Sequence, residues 1–161
     1  MSFLAVQDSM SLLAQRLLAV LKRTAQESKC SPSNVDVFCK LLMRCIAHAD
    51  ELTPALASAL DALRGCSYMA RIPLIEAYYM LSKAGSEERA KALKLLDAEL
   101  AGEYGHGRVS AAIVVCEREI RSLRQKAESA LLGIAGDQKE PAHVKAADFA
   151  RKLGLLPPVT P

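Results

Sequence analysis

Cys45 and His48 stand three residues apart, with Cys39 six residues before Cys45, so two or three metal-binding side chains share a face if this segment is helical. A structural zinc site ordinarily takes thiols paired at intervals of about two to four residues on turns. The chain has no such pair, and the spacing reads as two core thiols beside an ordinary histidine. Nucleophilic chemistry fares no better. There is no G-x-S-x-G elbow and no C-x-x-C, and Cys116 follows the apolar run Ile113 to Val115, which marks a core thiol.

Phosphate chemistry would need a cradle. The stretch Gly102-Glu103-Tyr104-Gly105-His106-Gly107 is glycine-rich, but it lacks the Lys-Ser/Thr pair of a P-loop and follows no strand. A helix starting at Arg108 would still offer free amides and a positive dipole end to an anion; the plain alternative is a helix-start loop. Glu87-Glu88 suits the first turn of a helix. Glu117 and Glu119 alternate with Arg118, Arg121 and Arg124, which reads as surface ion pairing or as an anion-binding ridge. No nucleophile–base pair or metal set emerges, so neither an enzyme nor a cofactor is expected.

Tyr78-Tyr79 is the more suggestive pair. Neighbours on a helix point about 100° apart, so one ring can pack inward while the other reaches the surface. An exposed tyrosine near Lys83 would make a peptide contact, joining a large apolar body to a hydroxyl; the plain alternative is burial of both rings at the edge of the core.

The elements that must position these groups are helical. The chain has 161 residues, 51% of them apolar and mostly Leu and Ala, with no Trp and few β-branched residues. Leu and Ala lose little side-chain entropy in a helix. A net charge of +3 is spread along the chain, with neither a basic stripe nor an aromatic platform, so direct nucleic-acid binding is not expected. The five cysteines, an odd count, suit free thiols in a reducing compartment. No signal peptide is read, since Asp8 precedes the first basic residue, Arg16, and no apolar run approaches membrane-spanning length. An intracellular protein off the membrane is the expectation.

Periodicity places a first helix from about Phe3 to Glu27, with Val6, Met10, Leu13, Leu17 and Leu21 on one face. Phe3, Leu4, Leu12, Leu18 and Val20 widen that face, which predicts packing on two sides. Ser31-Pro32 caps a second helix carrying Val35, Phe38, Leu41, Leu42, Cys45 and Ile46 inward. Thr53-Pro54 repeats the signal for a third, holding Leu56, Leu60 and Leu63 and stopping near Gly65. A fourth begins near Pro73 and runs to Ala84, with Gly85 as a left-handed terminator; a fifth, capped by Ser86, turns Ala90, Leu93, Leu96 and Leu100 inward. A long sixth runs from about Arg108 to Leu132, broken by Gly133 and Gly136. Asp137 and Glu140 resemble a capping box for a seventh that ends at Gly154. The expectation is an all-α fold: about seven helices in a right-handed superhelix of antiparallel pairs, forming one domain over residues 1–154 with a proline-rich tail, 155–161.

Within this pattern residues 47–84 resemble the middle of the CTD-interacting domain, a right-handed helical superhelix related to ENTH and VHS domains that binds the phosphorylated tail of RNA polymerase II. Leu56 to Leu60 stands for the family's short helix and Arg64 to Arg71 for its link. Ile72-Pro73-Leu74-Ile75-Glu76-Ala77-Tyr78-Tyr79-Met80-Leu81-Ser82-Lys83-Ala84 then stands for L-P-x-L-Y-L-x-D-S-I-V-K-N. Ile72, Pro73, Ile75, Ala77, Tyr78, Leu81 and Lys83 match, whereas Glu76, Tyr79 and Ala84 replace the family's tyrosine, aspartate and asparagine. The resemblance implies a peptide groove along the second, fourth and last helices, with a phosphate contact from Arg108, Arg118 or Arg121. It further implies a non-enzymatic adaptor for a protein or phosphopeptide in transcription termination or RNA 3′-end processing, with a nuclear location. The alternative is a structural subunit of a larger assembly.

Overall fold

The computed structural model describes residues 3–28 and 32–159, and the side chains of residues 8–28 and 34–159. The Phe3, Leu4 and Val6 side chains, the Cys30 thiol, the Ser31 cap, Thr160 and Pro161 lie outside the described residues. The fold is all-helical. Among the described residues it has eight α-helices: α1 (Phe3–Glu27), α2 (Pro32–Arg44), α3 (Ala49–Ala62), α4 (Tyr68–Leu81), α5 (Glu87–Leu100), α6 (Gly105–Glu117), α7 (Arg124–Gly136) and α8 (His143–Lys152). Short 3-10 turns, Ile46–His48 and Arg121–Leu123, precede α3 and α7.

The eighth helix arises where one long helix is expected. After Glu117 the chain enters the left-handed region at Glu119, with φ of 51°. The Ile120 amide donates back to the Val115 carbonyl at 2.9 Å and the Glu119 amide to Cys116 at 3.3 Å. These two bonds are the Schellman pattern, with a glutamate where glycine is usual. Gly133, by contrast, sits inside α7.

Two prolines expected at helix starts are internal. α3 begins at Ala49, with Asp50 and Glu51 in its first turn, and Pro54 stands one turn further in. α4 begins at Tyr68, where the Ser67 hydroxyl accepts from the Met69 amide at 3.3 Å, and Pro73 is again internal. Instead of reaching Ala84, α4 stops at Leu81, because Ser82 turns extended while its amide and hydroxyl both donate to the Tyr78 carbonyl, at 3.1 and 2.6 Å. Gly85 does take the left-handed conformation, with φ of 76°. Asp137 forms no capping box with Glu140; its carboxylate accepts from the Lys139 amide at 3.0 Å in a turn that precedes α8.

The chain forms two compact units, Met1–Ala92 and Leu93–Pro161. In the first, α1 packs on α3, α2 on α4 and α3 on α4. Leu21, Leu42, Leu52, Leu56, Leu63, Leu74 and Ile75 are fully buried, each worth about 1.5–3 kcal/mol of transfer free energy. In the second, α7 packs on α6 and α8. Buried Ala112, Ala127, Ala146 and Ala150 suit close helix contact there, around Val115, Leu131 and Ile134.

The apolar face of α1 is narrower than expected. Ala14, Leu17 and Leu21 are buried, while Leu12 and Val20 remain 51% and 47% exposed. Ile46, expected inward, is exposed because α2 has ended before it, and Ala90 is likewise exposed.

Candidate peptide-binding cleft

The end of α4, the link to α5 and the first turns of α3 and α5 enclose a cleft of about 170 Å³ within the first unit. Asp50, Thr53 and Pro54 line it from α3, Leu81 from α4, Ser82, Lys83 and Ser86 from the link, and Glu88 from α5. Across its mouth the Lys83 Nζ lies 2.9 Å from Asp50 Oδ1, with both side chains more than three-quarters exposed. An exposed pair of this kind contributes about 0–1 kcal/mol, so either partner exchanges readily for another ligand.

Hydrogen bonds fix the cleft's walls. The Thr53 hydroxyl donates to the Ala49 carbonyl at 2.6 Å, and the Ser82 hydroxyl to Tyr78 at 2.6 Å. Ser86 caps α5, its hydroxyl accepting from the Arg89 amide at 3.1 Å. The Arg89 side chain then folds back. Its Nε and Nη2 donate to the Ser82 carbonyl at 3.1 and 2.7 Å, and its guanidinium stacks on Tyr79, 4.0 Å from the ring centroid.

The two tyrosines are buried to different depths, and neither is exposed. Tyr78 is in the core, where burial, with Glu88 and Asp61 adding to it, pushes its phenol up. Tyr79 is half-buried beneath Arg89. Lys83 is therefore the one member of this trio that lines the cleft. The three arginines belong to the second unit. Arg108 Nε donates to the Leu100 carbonyl at 3.1 Å and so closes the end of α5. Arg118 is the half-buried C-cap of α6, and Arg121 is exposed in the 3-10 turn before α7. Ten helical positions put Arg108 and Arg118 roughly 15 Å apart along α6, so the two do not form one anion site.

The remaining sequence candidates resolve as structural parts. α6 starts at Gly105 and not at Arg108, and the Glu140 carboxylate lies so close to Gly105 that a Cβ there would collide with it. The positive end of α6 already faces an anion of the chain's own. Cys45 and Cys116 are buried, which pushes both thiols up and away from reactivity. Among the described residues no group of three or more His, Cys, Asp or Glu side chains is placed to hold a metal ion. Arg124 pairs with Glu128 one turn on, an ordinary surface contact.

Sequence reasoning missed Asp50, Thr53, Ser82, Glu88 and Arg89 as site residues. One signal was available: Ser82 and Ser86 flank Lys83 and Gly85 between two helical patterns, a polar cluster in a short connection. No family model matches the chain, and neither a curated protein nor a solved structure shows significant similarity to it. No helix among the described residues is long and apolar enough to cross a membrane.

Proposed function

We propose that the chain is a non-enzymatic helical adaptor that docks a peptide segment of a partner at the cleft between α3, α4 and α5. One observation carries this: an open cleft with apolar lining from Leu81 and Pro54 is flanked by the exposed, exchangeable Lys83–Asp50 pair. The framework of ordered hydrogen bonds from Thr53, Ser82 and Arg89 is preformed, which lowers the ordering cost of binding. The Ile72-Pro73 to Lys83 stretch supports the finer reading, a divergent CTD-interacting domain with right-handed superhelical winding, acting in nuclear transcription termination or RNA 3′-end processing.

The test is selection of peptides from a bead-displayed random heptapeptide library by the wild-type chain and by Pro54→Trp. Pro54 is exposed on the cleft wall, so the indole fills the cleft without entering the core. Peptides retained by wild type and lost by the variant, when the variant is at least as thermally stable as wild type, support docking there. Equal retention by both removes the cleft as the docking place, and no selection at all removes peptide docking.

A second reading, a structural subunit of a larger assembly, is favoured by the outer face of α1. There Leu12 and Val20 are exposed eight residues apart on one side of the helix. Such a subunit should bind a hydrophobic dye when isolated, and Leu12→Glu/Val20→Glu should abolish that signal. A dye-silent wild-type chain would count against it.

A further inference from the structure

The outer side of α1 carries apolar and basic groups together. Ala14, Leu17, Leu21 and Thr24 are buried, and at about 100° per residue Leu12 and Ala19 stand nearly opposite them, both exposed. Arg16 and Arg23 border that line on one side and Lys22 on the other, and Val20 lies just beyond Arg16; these too are exposed. From Ser9 to Gln26 the helix holds these three cations and no acid. Among the described residues none of the three makes an ion pair, whereas Lys40, Lys83, Lys91 and Lys126 each reach a carboxylate within 3.2 Å. Leu12 and Ala19 are seven residues apart, as are Arg16 and Arg23, so each pair lies almost parallel to the helix axis over roughly 10 Å. An apolar line bordered by charge at seven-residue spacing is the pattern by which one helix selects another.

We propose that α1 is covered by an acidic amphipathic helix of a partner protein. Its apolar side packs on Leu12, Ala19 and Val20, and carboxylates seven residues apart pair with Arg16 and Arg23. This narrows the second reading above, the structural subunit, on which it rests, and it does not involve the cleft. The unpaired charge selects among occupants. A second copy of the chain would lay one basic stripe against another, which like charges oppose. Nucleic-acid phosphates would pair the arginines but leave Leu12 and Val20 in water. A lipid surface takes up a broad apolar face, and α1 has turned that face to the core.

The experiment titrates the full chain into a fluorescein-labelled three-heptad peptide with Leu at a and d and Glu at e and g, followed by anisotropy. A second peptide with Lys at e and g is the control; like charges keep each peptide from pairing with itself. The acidic peptide is expected to bind about tenfold more tightly than the basic one. Arg16→Glu/Arg23→Glu should reverse that preference, a gain for the basic peptide that misfolding would not produce. Leu12→Ser should weaken the acidic peptide about fivefold, and Pro54→Trp should leave it unchanged. Equal affinity for the two peptides would overturn the proposal, as would a preference that survives the charge reversal or disappears with Pro54→Trp. Binding of the chain to phosphatidylserine vesicles without binding of the acidic peptide would overturn it in favour of a lipid surface. If the hydrophobic-dye signal is lost in Leu12→Glu/Val20→Glu but the peptides are not distinguished, the subunit reading stands and the acidic helix falls.

Discussion

The Arg89 guanidinium lies 4.0 Å from the centroid of the Tyr79 ring while donating through Nε and Nη2 to the Ser82 carbonyl. One side chain from α5 thus holds both the last turn of α4 and the residue that ends it. A part-buried, charge-assisted contact of this kind contributes about 1.5–3 kcal/mol. Arg89→Ala should lower unfolding free energy by about that amount in urea titration. Arg89→Lys should recover only a minor part, because an ammonium cannot present the planar fork to one carbonyl and stack on a ring as well. Equal stability of wild type and Arg89→Ala would mean that the fork is idle.

Glu119 carries a second, opposite expectation. It is exposed and sits at φ of 51°, where an L side chain costs about 1 kcal/mol and glycine almost nothing. Glu119→Gly should therefore stabilise the chain by about 1 kcal/mol, raising the thermal midpoint by roughly 2–4 °C. A lower midpoint would show that the glutamate side chain contributes more than its backbone conformation costs.

Glu119 also shows what in this fold was legible from sequence. Leu and Ala content made helix certain, and the periodic Leu56, Leu60 and Leu63 are all buried. Gly154 ends α8 as glycine should, at φ of 74° with Leu155 donating to the Ala150 carbonyl at 2.9 Å. The same Schellman turn at Glu119 stayed hidden because its left-handed residue has no sequence signature, so α6 and α7 read as one helix. Pro54 and Pro73 misled in the other direction. Proline marks helix starts, yet here each helix begins five residues earlier, at Ala49 and Tyr68. For the site, Lys83 was legible from its position after Tyr79. Its partner Asp50 was not, since only the packing of α3 on α4 brings together residues so distant along the chain.

The internal Pro54 is a liability to α3 with no packing return, being exposed. Pro54→Ala restores an amide hydrogen to the Asp50 carbonyl and removes the ring from the helix. Helix propensity favours the change by about 3 kcal/mol, and the greater freedom of the unfolded chain returns about 0.4–1 kcal/mol of that. A net gain of about 1–3 kcal/mol in chemical unfolding is expected. Pro73→Ala should gain less, because that ring is half-buried and its loss leaves space between helices. Destabilisation by Pro54→Ala would show that the ring is needed where it stands.

Acid stability should depend on Asp61. Its carboxylate accepts from Arg64 Nη2 at 2.9 Å and from Lys91 Nζ at 3.2 Å, tying α3 to the first turns of α5. The Arg64 hydrogen bond leads in holding the Asp61 carboxyl below its ordinary value, against a smaller opposing effect of burial and with Lys91 assisting. A carboxyl depressed in the folded chain contributes stability that is complete above its unfolded value, about 3.9, and is lost as pH falls through the folded value. Unfolding free energy should thus decline as pH falls below about 4, and Asp61→Asn should flatten part of that decline while lowering stability at pH 7. Because the groups are substantially exposed, screening matters: about 0.5 M salt, with a Debye length near 4 Å, should shrink the difference between wild type and variant. Parallel pH profiles for the two proteins would mean that the Arg64 and Lys91 contacts do not persist in solution.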